Sequence, residues 1–478
     1  MDLLGLTYSK DRSTFRVHVQ SGAPIRLALY KNANIIDREV FMMDAKHDHL
    51  HSVTLEGDYA GYYYTYLVDE NEVTDPYSIA LSQNGIRSAI IDLKQTDPLG
   101  FRAQKPLTHK HTQSVIYELH VKDFTYAIKD SKAPGTYLGL VEHDLFVDGL
   151  SVGIDHLVEL GITHVHLMPV YDFATVNEDK AHFDDDKNYN WGYDPRHFNT
   201  PEGSYSSQPD DPTNRIFELK TLIMKCHEKN IGVILDVVYN HTYFTKQSNF
   251  SILMPNSYYR MIDSIYFANG SGCGNEFASE SVLGRQFIVD SVLFWAKEYQ
   301  VDGFRFDLVG LIDKDTMYTL VDKLHEINPY MLIYGEPWTA ADTPLPYFKR
   351  TLKDSQRNQG FALFNDTFRD AIKGDNDSDK IGFTQGDRYK NNIIKLGLFG
   401  SLSSHFSDGF TENASETINY VNAHDNLILQ DKLEISMPNK DHEHYIRMNK
   451  LTLATMFFAQ GIPFIHAGNE FMRTKQFD

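Results

Sequence analysis

Two kinds of hydrophobic spacing divide the chain. Over the first hundred residues, apolar and polar positions alternate in short runs at 14–19, 25–30 and 62–67, separated by turns containing Gly and Asp. A period of two sends successive side chains to opposite faces, so these runs predict half-buried antiparallel strands of a small β-sandwich. The polar, proline-punctuated stretch from Asp97 to Pro106 marks the boundary. A first domain over residues 1–106 and a second over 107–478 are therefore expected.

Past Thr112 the alternation disappears. Eight apolar runs take its place, at 115–120, 164–170, 233–241, 303–309, 331–338, 361–366, 418–426 and 463–470, each ending in polar or acidic residues. Runs without alternation predict strands buried on both faces, as in a parallel sheet. Helical spacing lies between several of them, for example over 214–230 and 284–299. Eight such runs with helical connections predict an α/β fold, a (β/α)₈ TIM barrel. The insertion at 171–212, rich in Asp, Asn, Gly and Pro, is expected to form a loop subdomain over the mouth. Only residues 471–478 follow the eighth run, too few for a covering helix, so the expectation is a barrel truncated after strand eight, with an exposed and associating flank.

Composition narrows the function. At 42% hydrophobic, the 478-residue chain can bury a large core. No apolar stretch approaches the roughly 18 residues a membrane span needs. The start, MDLLGLTYSKDRSTF, lacks a basic-then-apolar signal pattern, so a cytoplasmic location is expected. Forty-five Lys and Arg against 65 Asp and Glu give a net charge of −20, which repels phosphate backbones and anionic lipid. Nucleic acid and membrane are thus excluded as partners, and neutral ligands remain. Two cysteines, Cys226 and Cys273, are too few for a disulfide scaffold or a cysteine metal site. Nothing in the residues signals an oligomeric state.

Three carboxylates stand at the ends of proposed strands four, five and seven: Asp307, Glu336 and Asp425. In a barrel those ends meet at one mouth, where active sites sit. Glycoside cleavage needs a carboxylate opposing a carboxylic acid, roughly 5–5.5 Å apart for retention of configuration. Singly, each acid also reads as half of a structural ion pair; three together at one mouth do not. Arg305 precedes Asp307 by two residues, so on a strand both side chains face the same way, and the guanidinium is expected to hold Asp307 ionised. Glu336 must keep its proton near neutral pH, which calls for nearby carboxylates and apolar walls, Trp338 among them. His241 and His424 end runs three and seven, placed either to meet sugar hydroxyls or as satisfied core residues. A metal-dependent barrel hydrolase is the rival reading, since His120, His164, His166, His241 and His424 all fall on proposed strands; His164 and His166, however, lie too early in theirs for a mouth site.

The segments 236–241 (DVVYNH), 303–307 (GFRFD), 335–336 (GE) and 421–425 (VNAHD) resemble, in order and in strand position, the four short regions of the α-amylase family, glycoside hydrolase family 13. The run 189–195 (YNWGYDP) is similar to the signature of type I pullulanases, the α-1,6 debranching members. Residues 1–106 resemble that group's starch-binding-like sandwich.

The resemblance implies Asp307 as nucleophile, Glu336 as general acid/base and Asp425 as the carboxylate that fixes sugar hydroxyls in the transition state. It implies Arg305, His241 and His424 around the scissile bond, Tyr193 stacked on the sugar ring, and Trp338 shaping the acceptor side. Trp191 joins them as a candidate, with loop packing as its alternative and that of Tyr193. Aromatic platforms suit the apolar C–H faces of sugars. The implied partner is a branched α-glucan, cleaved at α-1,6 linkages with retention. Some members bind calcium through a residue equivalent to Asn240, with the stretch 184–186 as a conceivable aid; no loop has EF-hand spacing, and no essential metal or cofactor is expected. An isoamylase, a glycogen debranching enzyme and a catalytically silent glucan-binding protein are the remaining alternatives.

Overall fold

The computed structural model describes residues 4–404 and 407–476. The first three residues of the N-terminal run, and Phe477 and Asp478 of the final segment, lie outside the described residues.

Eight parallel strands close into a barrel in chain order. They are Ile116–Leu119, His164–Leu167, Gly232–Val237, Gly303–Phe306, Leu332–Gly335, Ala362–Phe364, Thr417–Asn419 and Ile462–His466. The ring closes where Ile116 lies opposite Phe464. Side chains alternate across each strand. Ile116, Ile234, Tyr334, Phe364 and Phe464 form the inner plug, while Val165, Val233, Leu235, Phe304 and Ile333 pack outward against the helices. Burial on both faces is why the sequence pattern shows no alternation here.

The strands are shorter than the apolar runs. The third ends at Val237 and the seventh at Asn419, although the runs continue to 241 and 426. Val238 and Tyr239 are buried loop residues, so apolar composition persists past the last ladder bond. His241 and His424 therefore sit in loops beyond their strands.

The helix expected over 214–230 is Asn214–Glu228. That over 284–299 is Val282–Phe294, capped by the Ser281 hydroxyl on Gly284 N, followed by a wider π turn at Trp295–Tyr299. The insertion is more than a loop: Tyr171–Phe173 pairs antiparallel with Pro195–Pro201, and Phe198 and Tyr205 join the main core.

The N-terminal strands form two sheets, and the strand Tyr63–Val68 lies in the second. It is buried on both faces rather than half-buried. Tyr64, Tyr66 and Val68 pack with Phe15 and Val17 inside the sandwich, whereas Tyr63 and Leu67 join the barrel's cluster. Contact with the barrel on the far face accounts for the difference. Polar contacts secure the seam: Thr74 Oγ1 lies 2.7 Å from His197 Nε2, and Asn84 N donates to Glu178 at 2.6 Å.

Candidate active site

Arg305 is the hub of the barrel mouth. It faces inward from the fourth strand and is 1% exposed. Its Nη1 donates to Asp236 at 2.8 Å and to Asp307 at 2.9 Å, and its Nη2 lies 2.7 Å from Glu336 Oε1. Asp307 and Glu336 follow the fourth and fifth strands directly, and one planar guanidinium holds both. Such bridging keeps two carboxyls close, as a retaining pair requires.

Each acid is oriented further. Asn240 Nδ2 donates to Asp307 Oδ2 at 2.7 Å, and Leu308 N donates to Glu336 Oε2 at 3.1 Å. Asp236, fully buried, accepts from the Tyr193 hydroxyl at 2.6 Å and lies 3.2 Å from His166 Nε2. Two glycines permit the close packing. A Cβ at Gly310 would lie 2.5 Å from the Trp338 carbonyl oxygen, and at Gly192, with φ +93°, 2.8 Å from the Pro169 side chain.

Burial pushes Glu336 up to about 8; Arg305 opposes this, and Asp307 and Asp425 add to it. Near neutral pH it carries a proton, as expected. Asp307 differs from expectation: burial, with help from Asp236, pushes it above its ordinary value, and Arg305 and Asn240 only oppose this. The guanidinium is divided among three carboxylates, so its effect on any one is diluted. A protonated Glu336 adds no negative charge beside Asp307, which leaves Asp307 the better claim on Arg305 as an anion.

Asp425 stands in a different setting. Its side chain is 54% exposed and lines a cleft of about 300 Å³ together with Glu336, Trp338, Asp366, Arg369 and Asn376. Its neighbour His424 is buried, with Nε2 3.4 Å from Asp425 Oδ1 and Nδ1 2.8 Å from Glu118 Oε1. Burial alone pulls the imidazole down, but Glu118 and Asp425 prevail and lift it to about 9.

The signature loop packs onto this cluster. The Tyr193 ring stacks on His424 at 4.9 Å and 17°, and Trp191 meets the same imidazole edge-on at 5.3 Å. Trp191 Nε1 donates to the Tyr189 hydroxyl at 3.1 Å. His241 is tied to protein at both nitrogens, Nδ1 to Asn240 Oδ1 at 2.6 Å and Nε2 to the Tyr193 carbonyl at 3.0 Å. Its direct contacts are thus the loop and the Asn240–Asp307 pair.

Sequence reading passed over Glu118, Asp236 and the cleft residues Asp366, Arg369 and Asn376. The first two left a signal: each is an acid within an otherwise apolar strand run, which demands a partner. The last three lie after the sixth strand; Asp366 closes the sixth apolar run, and Arg369 and Asn376 follow with no pattern to mark them.

Metal-binding features are engaged otherwise. The Asn240 side chain bonds Asp307 and His241, and Asp184 bonds the Tyr126 hydroxyl on an exposed loop. Among the described residues, the five histidines of the metal-hydrolase reading bring no ligand cluster together. Asp172, Glu178 and Glu202 do bring oxygens within 4.8 Å of one another. Arg215 supplies the countercharge there, reaching both Glu178 oxygens at 2.8 Å.

Comparison with known proteins places the chain beside one group of enzymes. The Alpha amylase, catalytic domain family matches residues 129–260. A pullulanase of Bacillus subtilis (strain 168) is 38% identical over 99% of this chain and 66% of its own length. Pullulanase A of Streptococcus pneumoniae serotype 2 is 32% identical over 88% of this chain and 35% of its own. The chain therefore spans under two thirds of these curated relatives. The crystal structure of a Paenibacillus barengoltzii pullulanase, in complex with maltohexaose and alpha-cyclodextrin, superimposes with a TM-score of 0.95 at 39% identity, covering 99% of this chain and 75% of that one.

Proposed function

We propose that this chain, which belongs to the α-amylase family and within it to the pullulanases, hydrolyses α-1,6 branch linkages of α-glucans with retention of anomeric configuration. The observation that carries the reading is Arg305 paired with Asp307 and Glu336 at once, with Glu336 and Asp425 lining one cleft.

In this reading Glu336, protonated below about 8, donates its proton to the departing glycosidic oxygen. Asp307, held by Asn240 and Arg305, attacks the anomeric carbon and forms a glycosyl ester. Glu336, now ionised, takes a proton from water, which hydrolyses the ester and returns both acids to their starting states. Asp425 binds sugar hydroxyls as the ring flattens toward the oxocarbenium-like transition state, with the His424 cation beside it. Tyr193 offers a platform for the ring, its angle set by the hydroxyl bond to Asp236. Trp191 backs His424 from its edge, and Trp338 walls the acceptor side of the cleft. His241 acts through Asn240, whose amide it fixes. We read residues 1–106 as a starch-binding-like sandwich and residues 107–478 as the catalytic unit.

No step calls for a metal or organic cofactor, so activity should survive dialysis against a chelator. Products from pullulan and linear amylose test the bond preference. Maltotriose from pullulan, with amylose left intact, is expected. Panose from pullulan, or rapid loss of iodine staining with amylose, would assign the chain a different specificity, and an isoamylase-type preference would show as activity on glycogen with pullulan untouched.

A further inference from the structure

Glu118 sits on the first barrel strand, two residues past Ile116 of the inner plug, and is 1% exposed. A carboxylate in that position is costly unless paired. His166 and His466 are its register partners on the flanking strands. Its Oε1 lies 2.8 Å from His424 Nδ1, and its Oε2 has no protein partner. His424 is held on its other sides as well. Tyr193 stacks on the ring, Trp191 abuts its edge, and Lys475 Nζ donates to its carbonyl. The remaining ring nitrogen, Nε2, points toward Asp425 on the cleft.

We propose that Glu118 is a positioning residue of the reaction: by accepting the Nδ1 proton of His424, it fixes that imidazole as a cation whose Nε2–H donates toward Asp425 and the sugar hydroxyls beside it. This rests on the glycosidase reading above. The argument is one of donors and acceptors. A neutral imidazole donating from Nδ1 would present a lone pair at Nε2 to the Asp425 carboxylate, and two acceptors would face each other. A charged imidazole presents a donor instead. The ionisable groups around His424 contend over that proton. Glu118 from the first strand and Asp425 from the same loop favour the cation. Arg305 from the fourth strand opposes it; His466 from the eighth, pushed down to about 3 by burial, stays neutral, and Lys475 from the final segment bonds the His424 carbonyl rather than the ring. Tyr193 contributes a ring face and an uncharged hydroxyl 3.4 Å from Nδ1, and Trp191 an edge. Among the charged groups Glu118 makes the shortest contact with the ring itself, 2.8 Å against 3.4 Å for Asp425, so its charge decides the outcome.

Glu118→Gln separates this role from packing, since it keeps shape and an acceptor oxygen while removing the charge. Wild type, Glu118→Gln and Glu118→Asp should be compared through pH–rate profiles on pullulan. In the Gln variant His424 should fall toward its ordinary range, drawing the alkaline limb down by about one pH unit or more. Rates at pH 5 should stay within about tenfold of wild type. The Asp variant, which keeps the charge, should leave the limb in place. An alkaline limb that does not move in the Gln variant, at any level of activity, overturns the proposal. The wild type offers a second reading that does not depend on a variant's folding. In ¹⁵N spectra of histidine-labelled protein, with the His424 signals found by their loss in His424→Gln, both ring nitrogens should be protonated at pH 7.5; a neutral ring contradicts the proposal. Wild-type inactivity on every branched glucan would instead remove the glycosidase reading, so the two failures are distinguishable.

Discussion

The backbone N–H of Leu308 donates to Glu336 Oε2 at 3.1 Å from a left-handed conformation, φ 40° and ψ 52°. Leucine rarely adopts that region, and such outliers cost on the order of 1–3 kcal/mol. The strained residue directly follows Asp307, so one backbone turn aims the two acids at a common space. Asn tolerates left-handed backbone and keeps the N–H. Leu308→Asn should therefore hold kcat within about threefold of wild type with little change in Tm, whereas β-branched Leu308→Val should lower Tm by several degrees. Thermal melts and initial rates on pullulan check both.

Under the proposed mechanism Asp307→Asn removes the nucleophile while keeping an isosteric group beside Arg305 and Asn240. Its kcat should fall at least about a thousandfold with the fold intact. Circular dichroism and turnover measure this, and residual activity within tenfold of wild type would remove Asp307 from the covalent step.

Glu336 couples activity and stability to pH in a defined direction. Its native pKa, about 8, lies above its ordinary 4.5. The stability it contributes is fully present below 4.5 and is lost as pH rises through about 8. Under the proposed mechanism activity should decline over the same upper range, as Glu336 loses the proton it is to donate. Glu336→Gln, which cannot ionise and leaves Arg305 with Asp236 and Asp307, should be nearly inactive at every pH and more stable than wild type at pH 9. Urea denaturation at pH 5 and pH 9 tests this; equal stability differences at both would contradict it.

Much of the fold was legible because strands buried on both faces leave continuous apolar runs, and the acids that interrupt or end those runs are conspicuous. Asp307, Glu336 and Asp425 were readable for that reason. The partnerships were not. Glu118 and His424 are 306 residues apart in the chain, and Asp236 and Arg305 are 69 apart; no local pattern pairs them. Strand ends escaped for a different reason. Loops such as Val238–Tyr239 are as buried as the strands, so hydrophobicity carries no mark where the ladder stops. The two-sided burial of Tyr63–Val68 depends on the barrel packed against its far face, which alternation within the strand cannot reveal. At Asp307 burial, with Asp236, outweighs an Arg305 shared among three acids, and neither the burial nor the sharing is visible in the local sequence.

Tyr193 combines a stacking face with a hydroxyl donor to Asp236. The two roles can be separated. Tyr193→Phe keeps the ring and should lower kcat/KM by about tenfold, the loss expected of one hydrogen bond to a charged group. Tyr193→Ala should cost considerably more, because the platform goes as well. Similar losses in the two variants would show that the ring contributes little.

The central claim is a retaining cleavage of α-1,6 branches by Asp307 and Glu336 across Arg305. Time-resolved ¹H NMR of a pullulan digest reads bond and stereochemistry together. The account predicts that maltotriose appears first as its α-anomer, the β-anomer growing in only at the rate of mutarotation. Initial formation of the β-anomer, or a trisaccharide other than maltotriose as the main product, would contradict it.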